Sequence, residues 1–233
     1  VYFDENGKLP LLKCVQAAEA MMMESPKPRG YLPIDGIAAY DKAVQGLVFG
    51  ADSEAVKAGR IATIQGLGGT GGLKVGADFL KRLSPNAQVL ISDPSWENHR
   101  ALFEAAGFTV GQYPYYDAAT RGLNFDAMLA ALQQAGTGTI VVMHACCHNP
   151  TGCDLSPAQW AQVVATLKSR KLTPFIDMAY QGFGEGIAED GAVIGMLMSA
   201  GLEFLVATSF SKSFSLYGER VGALSVVCPS RDE

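Results

Sequence analysis

What this chain has little of narrows its reading before any motif does. Its 18 lysines and arginines are outnumbered by 23 aspartates and glutamates, leaving a formal net charge of −5. No basic stripe is available to neutralise a phosphate backbone, which sets nucleic acid aside as a partner. Long apolar runs are missing too. Stretches such as Ile140–Met143 and Phe204–Ala207 are strand-length, far below the roughly 20 apolar residues of a membrane span. The five cysteines, with Cys146 and Cys147 adjacent, are an odd set that makes no disulfide framework and suits a reducing compartment. The first residues include Asp4, Glu5 and Lys8 and show no apolar core of a secretory signal. The expectation is a cytoplasmic protein with neither membrane nor nucleic acid as partner.

Histidine is equally scarce, with three in all. Two of them flank the segment His144-Ala145-Cys146-Cys147-His148, whose imidazoles and thiolates could suggest zinc. Neighbouring residues on a strand point to opposite faces, and no second ligand cluster exists, so small buried cysteines are the better reading and no metal is expected.

What is present is the material of a packed core: 48% hydrophobic residues against 18% charged. Strand-like runs at 60–65, 88–92, 109–113, 139–144, 173–177, 204–209 and 223–227 alternate with helical periods, the pattern of an α/β layered domain. Phe125, Met128, Leu129 and Leu132 repeat at i, i+3, i+4 and i+7, as do Trp160, Val163, Val164 and Leu167. Ser156 is placed to cap the second of these helices, with Pro157 in its first turn and Gln159 completing a capping box. Before Arg60 the texture changes. Met21-Met22-Met23 reads as helix, and Ser25-Pro26-Lys27-Pro28-Arg29-Gly30 as an extended connection. This part is expected to pack across the domain or onto a partner subunit.

Gly66-Leu67-Gly68-Gly69-Thr70-Gly71 follows a strand and opens a helix, where unpaired amides and the helix dipole favour an anion. Glycine lets the backbone approach that anion, and Thr70 adds a hydroxyl. By spacing, Gly66, Gly68 and Gly71 also fit the G-x-G-x-x-G dinucleotide fingerprint, with Asp93 as the ribose acceptor, so an NAD-dependent oxidoreductase is a rival reading. A turn whose glycines serve only tight packing is the plain alternative.

The segment Ser209 to Arg220 sits just past a strand. Lys212, in a hydroxyl-rich loop between apolar stretches, suits capture of an aldehyde, since attack needs a neutral amine and partial burial lowers the lysine pKa. Arg220 offers a bidentate fork for phosphate. Taken alone, the pair also reads as a solvated lysine beside a salt-bridging arginine. His148-Asn149-Pro150-Thr151-Gly152 ends one strand and Asp177-Met178-Ala179-Tyr180 the next. A strand-end aspartate can pair with a protonated ring nitrogen and keep the ring electron-poor. Asn149 and Tyr180 can donate to a phenolate oxygen, and Trp96 offers a flat stacking face. Singly, Asp177 could be a helix cap, Trp96 core, and His99 and His144 interior histidines. Jointly they describe a site.

The segments Tyr31 to Gly36, Gly68 to Gly71, Trp96 to His99, His148 to Gly152, Asp177 to Phe183 and Ser209 to Arg220 resemble the fold-type-I aspartate and aromatic-amino-acid aminotransferases, nearest to the bacterial aromatic (tyrosine) branch. The resemblance covers essentially the whole chain. It implies a pyridoxal 5'-phosphate-binding large domain over 31–233, preceded by a segment at 1–30. Its mostly parallel, mixed seven-stranded sheet would lie between two helix layers. A ping-pong exchange is implied, from an aromatic or acidic L-amino acid to a 2-oxo acid such as 2-oxoglutarate, or one restricted to aspartate. Lys212 would hold the cofactor covalently and shuttle the proton, and Asp177, backed by His99 and His144, would pair with the ring nitrogen. Asn149 and Tyr180 would bind the ring hydroxyl, and Trp96 would stack on the ring. Gly69, Thr70, Ser209 and Arg220 would hold the phosphate, with Tyr31 reaching in from the other subunit of a homodimer. The family's substrate-carboxylate arginines and small domain would lie beyond this sequence, so these 233 residues alone would seat the cofactor without clamping the substrate.

Overall fold

The computed structural model describes residues 1–232; the last residue of the expected large domain, Glu233, lies outside them. Seven strands form one sheet: β1 (Ile61–Leu67), β2 (Gln88–Asp93), β3 (Thr109–Pro114), β6 (Ile140–His144), β7 (Thr173–Met178), β8 (Phe204–Ser209) and β9 (Val221–Val227), in the order β1-β9-β8-β7-β6-β2-β3. Strands β4 (Tyr116–Asp117) and β5 (Gly122–Leu123) make a small separate hairpin that the sequence did not signal. From β3 through β8 every pairing in the sheet is parallel, whereas β9 runs antiparallel to both β8 and β1.

Parallel strands need crossover connections, and the helices that supply them cover both faces. Successive residues of β6 show the division: Val141 and Met143 join one apolar cluster, Ile140 and Val142 the other. The first cluster receives Met128 and Leu132 of α6 (Phe125–Gln134), Val163 and Leu167 of α7 (Pro157–Arg170), and Val193 and Leu197 of α9 (Ala192–Ser199). The second receives Leu73, Ala77 and Leu80 of α4 (Gly68–Leu83) and Phe103 of α5 (Glu97–Ala105). The result is the expected three-layer α/β/α architecture.

The stripes expected on α6 and α7 face the core: Met128 and Leu132 are fully buried, as are Val163 and Leu167. The cap on α7 forms as the sequence specified. Ser156 Oγ accepts from the Gln159 amide at 3.3 Å, and Gln159 Oε1 accepts from the Ser156 amide at 2.9 Å. Helix α1 (Lys13–Glu24) contains the three methionines and buries none of its residues. Among the described residues no helix is long and apolar enough to cross a membrane.

One boundary differs in a way that matters. The first strand was expected to stop at Gln65, but β1 continues through Gly66 and Leu67, because these pair with Gly222 and Val221 at the start of β9. The glycine stretch is therefore partly strand, and α4 begins at once at Gly68.

Phe175 of β7 is completely buried, edge-on to Phe103 with ring centroids 5.6 Å apart. Phe175→Ala should lower unfolding free energy in urea by about 3–5 kcal/mol, while leaving the folded far-ultraviolet dichroism unchanged.

Candidate active site

Ligands of open α/β sheets bind outside the carboxyl ends of the strands, and sheet register decides which residues arrive there. Ser209, Gly222 and Gly66 lie in one row across β8, β9 and β1. A second row, deeper in the sheet, carries His144, Asp177 and Ala207 across β6, β7 and β8. The turn after β8 then brings Lys212 over the second row, and the chain returns through Arg220 into β9.

The glycine loop is held against that return. The Gly68 amide donates to the Arg220 carbonyl at 2.8 Å. Gly68 has φ of +69°, and a Cβ there would sit 2.6 Å from the Arg220 guanidinium. The positive φ favours glycine at this point, and a side chain would also push the Arg220 guanidinium aside. Gly222 likewise lies flat against the Gly68 and Gly69 backbone, where any side chain would overlap. Arg220 also donates from its guanidinium to the Tyr217 carbonyl at 2.9 Å, which orients it. The first-turn amides of α4, the Thr70 and Ser209 hydroxyls and the Arg220 guanidinium thus converge on one end of a cleft, and that donor set suits a phosphate.

The cleft has a volume of about 180 Å³, and Gly69, Thr70, Trp96, His144, Asn149, Asp177, Tyr180, Ser209, Lys212 and Arg220 all line it. Ten of the twelve residues expected at a site therefore meet in one place. His99 stands behind Asp177, its Nε2 2.8 Å from Asp177 Oδ2, and Ser95 Oγ lies 2.9 Å from His99 Nδ1. A carboxylate only accepts hydrogen bonds, so Nε2 carries the proton of the first contact. Tyr31 is elsewhere: its side chain is fully exposed at 108% and does not reach this cleft. Tyr217 and Ser211 line the cleft as well, and Ser95 and His148 support it. The sequence reading assigned no role to these four. Ser95, just ahead of α5 and four residues before His99, was the available signal for one of them.

His148 is a buried strut. Its Nε2 is 2.8 Å from Ser92 Oγ, its Nδ1 2.8 Å from Thr151 Oγ1, and its ring stacks on Tyr115 at 3.8 Å. The His144 ring stands edge-on to it at 4.6 Å. Potential ligand atoms of His99, His144 and Asp177 lie within 4.8 Å of one another. Both ring nitrogens of His99 are already in hydrogen bonds, however, so the cluster reads as a hydrogen-bonded support for the carboxylate.

Electrostatics give the cleft two unlike ends. Burial pushes the Asp177 carboxyl up, but the hydrogen bond and charge of His99, with His144 and Lys212, outweigh it and hold the group below the ordinary range. It is a carboxylate although only 4% exposed. Burial lowers the Lys212 amine, Asp177 opposes that, and Arg220 adds to the lowering, leaving it below an ordinary lysine. Burial drives His144 down to about 3 and His148 to about 4, so both rings are neutral at pH 7. Burial and then Asp177 raise the Tyr180 phenol, keeping it a donor. Its ring lies under the Lys212 ammonium at 4.7 Å.

The dinucleotide alternative fails on topology. Its fingerprint needs a parallel βαβ unit whose acidic residue ends the neighbouring strand. Here β1 is an antiparallel edge strand, and β9, β8, β7 and β6 separate it from β2, which Asp93 ends. At about 4.8 Å per strand, Asp93 is ~24 Å from the glycine loop.

Comparison with known proteins agrees with this geometry. The family model for aminotransferase class I and II matches residues 1–233. The aspartate aminotransferase of Pseudomonas aeruginosa is 61% identical over 233 residues, 100% of this chain and 58% of that protein. The tyrosine aminotransferase of Klebsiella pneumoniae is 54% identical over 229 residues, 98% of this chain and 58% of the relative. A crystal structure of the aromatic-amino-acid aminotransferase from Burkholderia pseudomallei, covalently bound to pyridoxal phosphate, superposes with a TM-score of 0.98 at 63% identity, covering 100% of this chain and 58% of that one. The chain thus spans somewhat over half the length of these relatives.

The charges facing Lys212 predict opposite effects from two substitutions. Asp177→Asn removes the charge that favours the ammonium and should lower the Lys212 pKa further; Arg220→Gln should raise it. The pH dependence of Lys212 acetylation, followed by peptide mass spectrometry, should move to lower pH in the first variant and higher pH in the second.

Proposed function

Because the chain belongs to the class I and II aminotransferase family, we propose that it is the pyridoxal 5'-phosphate-binding part of an enzyme that moves an amino group from an aromatic or acidic L-amino acid to a 2-oxo acid such as 2-oxoglutarate. One observation carries this reading. A phosphate-type seat, a low-pKa lysine and a buried carboxylate border the same cleft, and the three suit the three reactive parts of this cofactor.

Bound there, the cofactor supplies an aldehyde that takes up the amino group and a ring that withdraws electrons from the substrate α-carbon. Gly69, Thr70, Ser209 and Arg220 would hold its phosphate at the start of α4. Asp177 would pair with the ring nitrogen, while His99 keeps that carboxylate ionised and aimed. Asn149 and Tyr180 would donate to the ring hydroxyl, and Trp96 would give the ring a flat face. Lys212 Nζ would carry the covalent attachment and, when free as a neutral amine, would serve as the base that takes a proton from the substrate α-carbon and returns it one position along. The His144 ring, neutral at pH 7, lines the cleft beside Asp177 and is backed by the neutral His148 ring.

The homodimer is part of the proposal. Tyr31 is fully exposed, and Met21, Met22, Met23 and Ile34 are exposed as well, as suits residues that would meet a second copy and supply Tyr31 to its phosphate. A reading restricted to aspartate is favoured by the name of the Pseudomonas relative. Specificity constants of the full-length protein for tyrosine, phenylalanine and aspartate separate the two, and activity on aspartate alone would select the narrower one.

The central test uses the full-length protein with pyridoxal phosphate. A visible band should form, and borohydride should fix a phosphopyridoxyl group on Lys212. Lys212→Ala should abolish the adduct and lower kcat/KM for amino transfer by about 10²–10⁴ or more. An adduct on a different lysine would remove the proposal. Light scattering should give twice the monomer mass.

A further inference from the structure

Tyr180 opens a loop, residues 181–186, that leads into α8 (Ile187–Asp190). Residues 182–185 of this loop are exposed, yet Asp190 at the end of α8 is buried beneath them. Its carboxylate accepts three backbone amides: Gly182 at 2.8 Å and Gly184 at 2.9 Å on Oδ2, and Glu185 at 3.0 Å on Oδ1. Gly184 is placed so closely that a Cβ would stand 2.5 Å from Asp190 Oδ1. The loop closes back on the cleft, because the Phe183 amide donates to the Tyr180 carbonyl at 3.0 Å and the Phe183 ring meets the Tyr180 ring edge-on at 6.3 Å.

From this geometry we infer that Asp190 is a positioning residue for Tyr180: its carboxylate gathers the amides of the following loop and thereby fixes the phenol that faces Lys212. The inference rests on the proposed contact of Tyr180 with the cofactor only for its catalytic consequence; the positioning itself is a property of the chain. Burial raises the Asp190 carboxyl, but the backbone amides of Glu185, Gly184, Gly182 and Gly186 outweigh it and keep it ionised. Asparagine presents one acceptor in place of two and turns an NH2 group toward amide donors, so Asp190→Asn breaks the clamp at nearly constant volume. Gly184→Ala disturbs the same contact from the loop side.

The test is made on the full-length protein carrying 3-fluorotyrosine at position 180. In the unaltered protein the amides of residues 182, 184 and 185 should exchange slowly despite their exposure. Exchange at free-peptide rates overturns the inference. Asp190→Asn should speed that exchange by about ten-fold or more and shift or broaden the fluorine resonance. It should also move the midpoint of the visible cofactor band's pH titration in the direction given by Tyr180→Phe, with little added in the double variant. If Asp190→Asn does not fold, Gly184→Ala carries the same expectations. Faster loop exchange with an unmoved fluorine signal would reduce Asp190 to a loop fastener and overturn the inference. A shifted fluorine signal with a band indifferent to Tyr180→Phe would uphold positioning and refute the Tyr180–cofactor contact instead.

Discussion

The antiparallel pairing of β1 with β9 is the constraint on which the rest of the site depends. It joins Leu67 to Val221 and Gly66 to Gly222, and so sets the first turn of α4 against the residue that ends the lysine turn. Gly68 completes the joint with its amide bond to the Arg220 carbonyl. Neither half makes an anion seat alone. Helix α4 supplies amides without a cation, and the lysine turn supplies a cation with nothing to orient the anion. The close approach leaves no space for a side chain at Gly222, so a β-branched residue there would separate the halves even though it favours strand.

The second dependence is electrostatic. A carboxylate buried as deeply as Asp177 would ordinarily take up a proton, because desolvation penalises its charge. It stays ionised because the Ser95–His99 pair directs a ring N–H onto it and because Lys212 lies nearby. The carboxylate in turn moderates the fall of the Lys212 pKa. The two groups are therefore one coupled unit, with a fixed negative charge at the floor of the cleft and cationic and amide donors at its rim. A ligand with a protonatable ring and a phosphate arm matches that polarity. A simple anion or a metal ion matches one end only.

Rigidity follows from the scaffold. Ser209, Asp177 and His144 are strand residues in paired register, and the helices packed on both faces hold the sheet. Tyr180, Lys212 and Arg220 are on turns just beyond the strands and need local fastening. The Tyr217 carbonyl holds Arg220, and hydrogen bonds to the Asp190 carboxylate hold the Tyr180 loop. The sheet sets where charge sits, and these turn contacts set how mobile donors are aimed.

Much of this was legible in the amino-acid sequence. The stripes of α6 and α7, the Ser156 capping box and the strand runs are local patterns, and ten cleft residues were named from motif chemistry together with the family resemblance, which alone supplied Ser209 and His144. The extension of β1 into the glycines was not, because glycine is a weak strand former and only pairing with β9 makes it strand. Nor was the failure of the dinucleotide spacing: Gly66, Gly68, Gly71 and Asp93 fit the motif as letters, and strand order alone separates them by five steps. Asp190 carries no motif, and His148, although it opens a recognised segment, was given no site role; both take their roles from partners that the fold brings to them. The sequence by itself determined the fold class, the family and the chemical inventory of the site, since neighbouring residues carry periodicity and side-chain chemistry. Only the tertiary structure decided which strand ends share a row, which charges are buried and what aims each donor, because those follow from pairing and desolvation between segments distant along the chain.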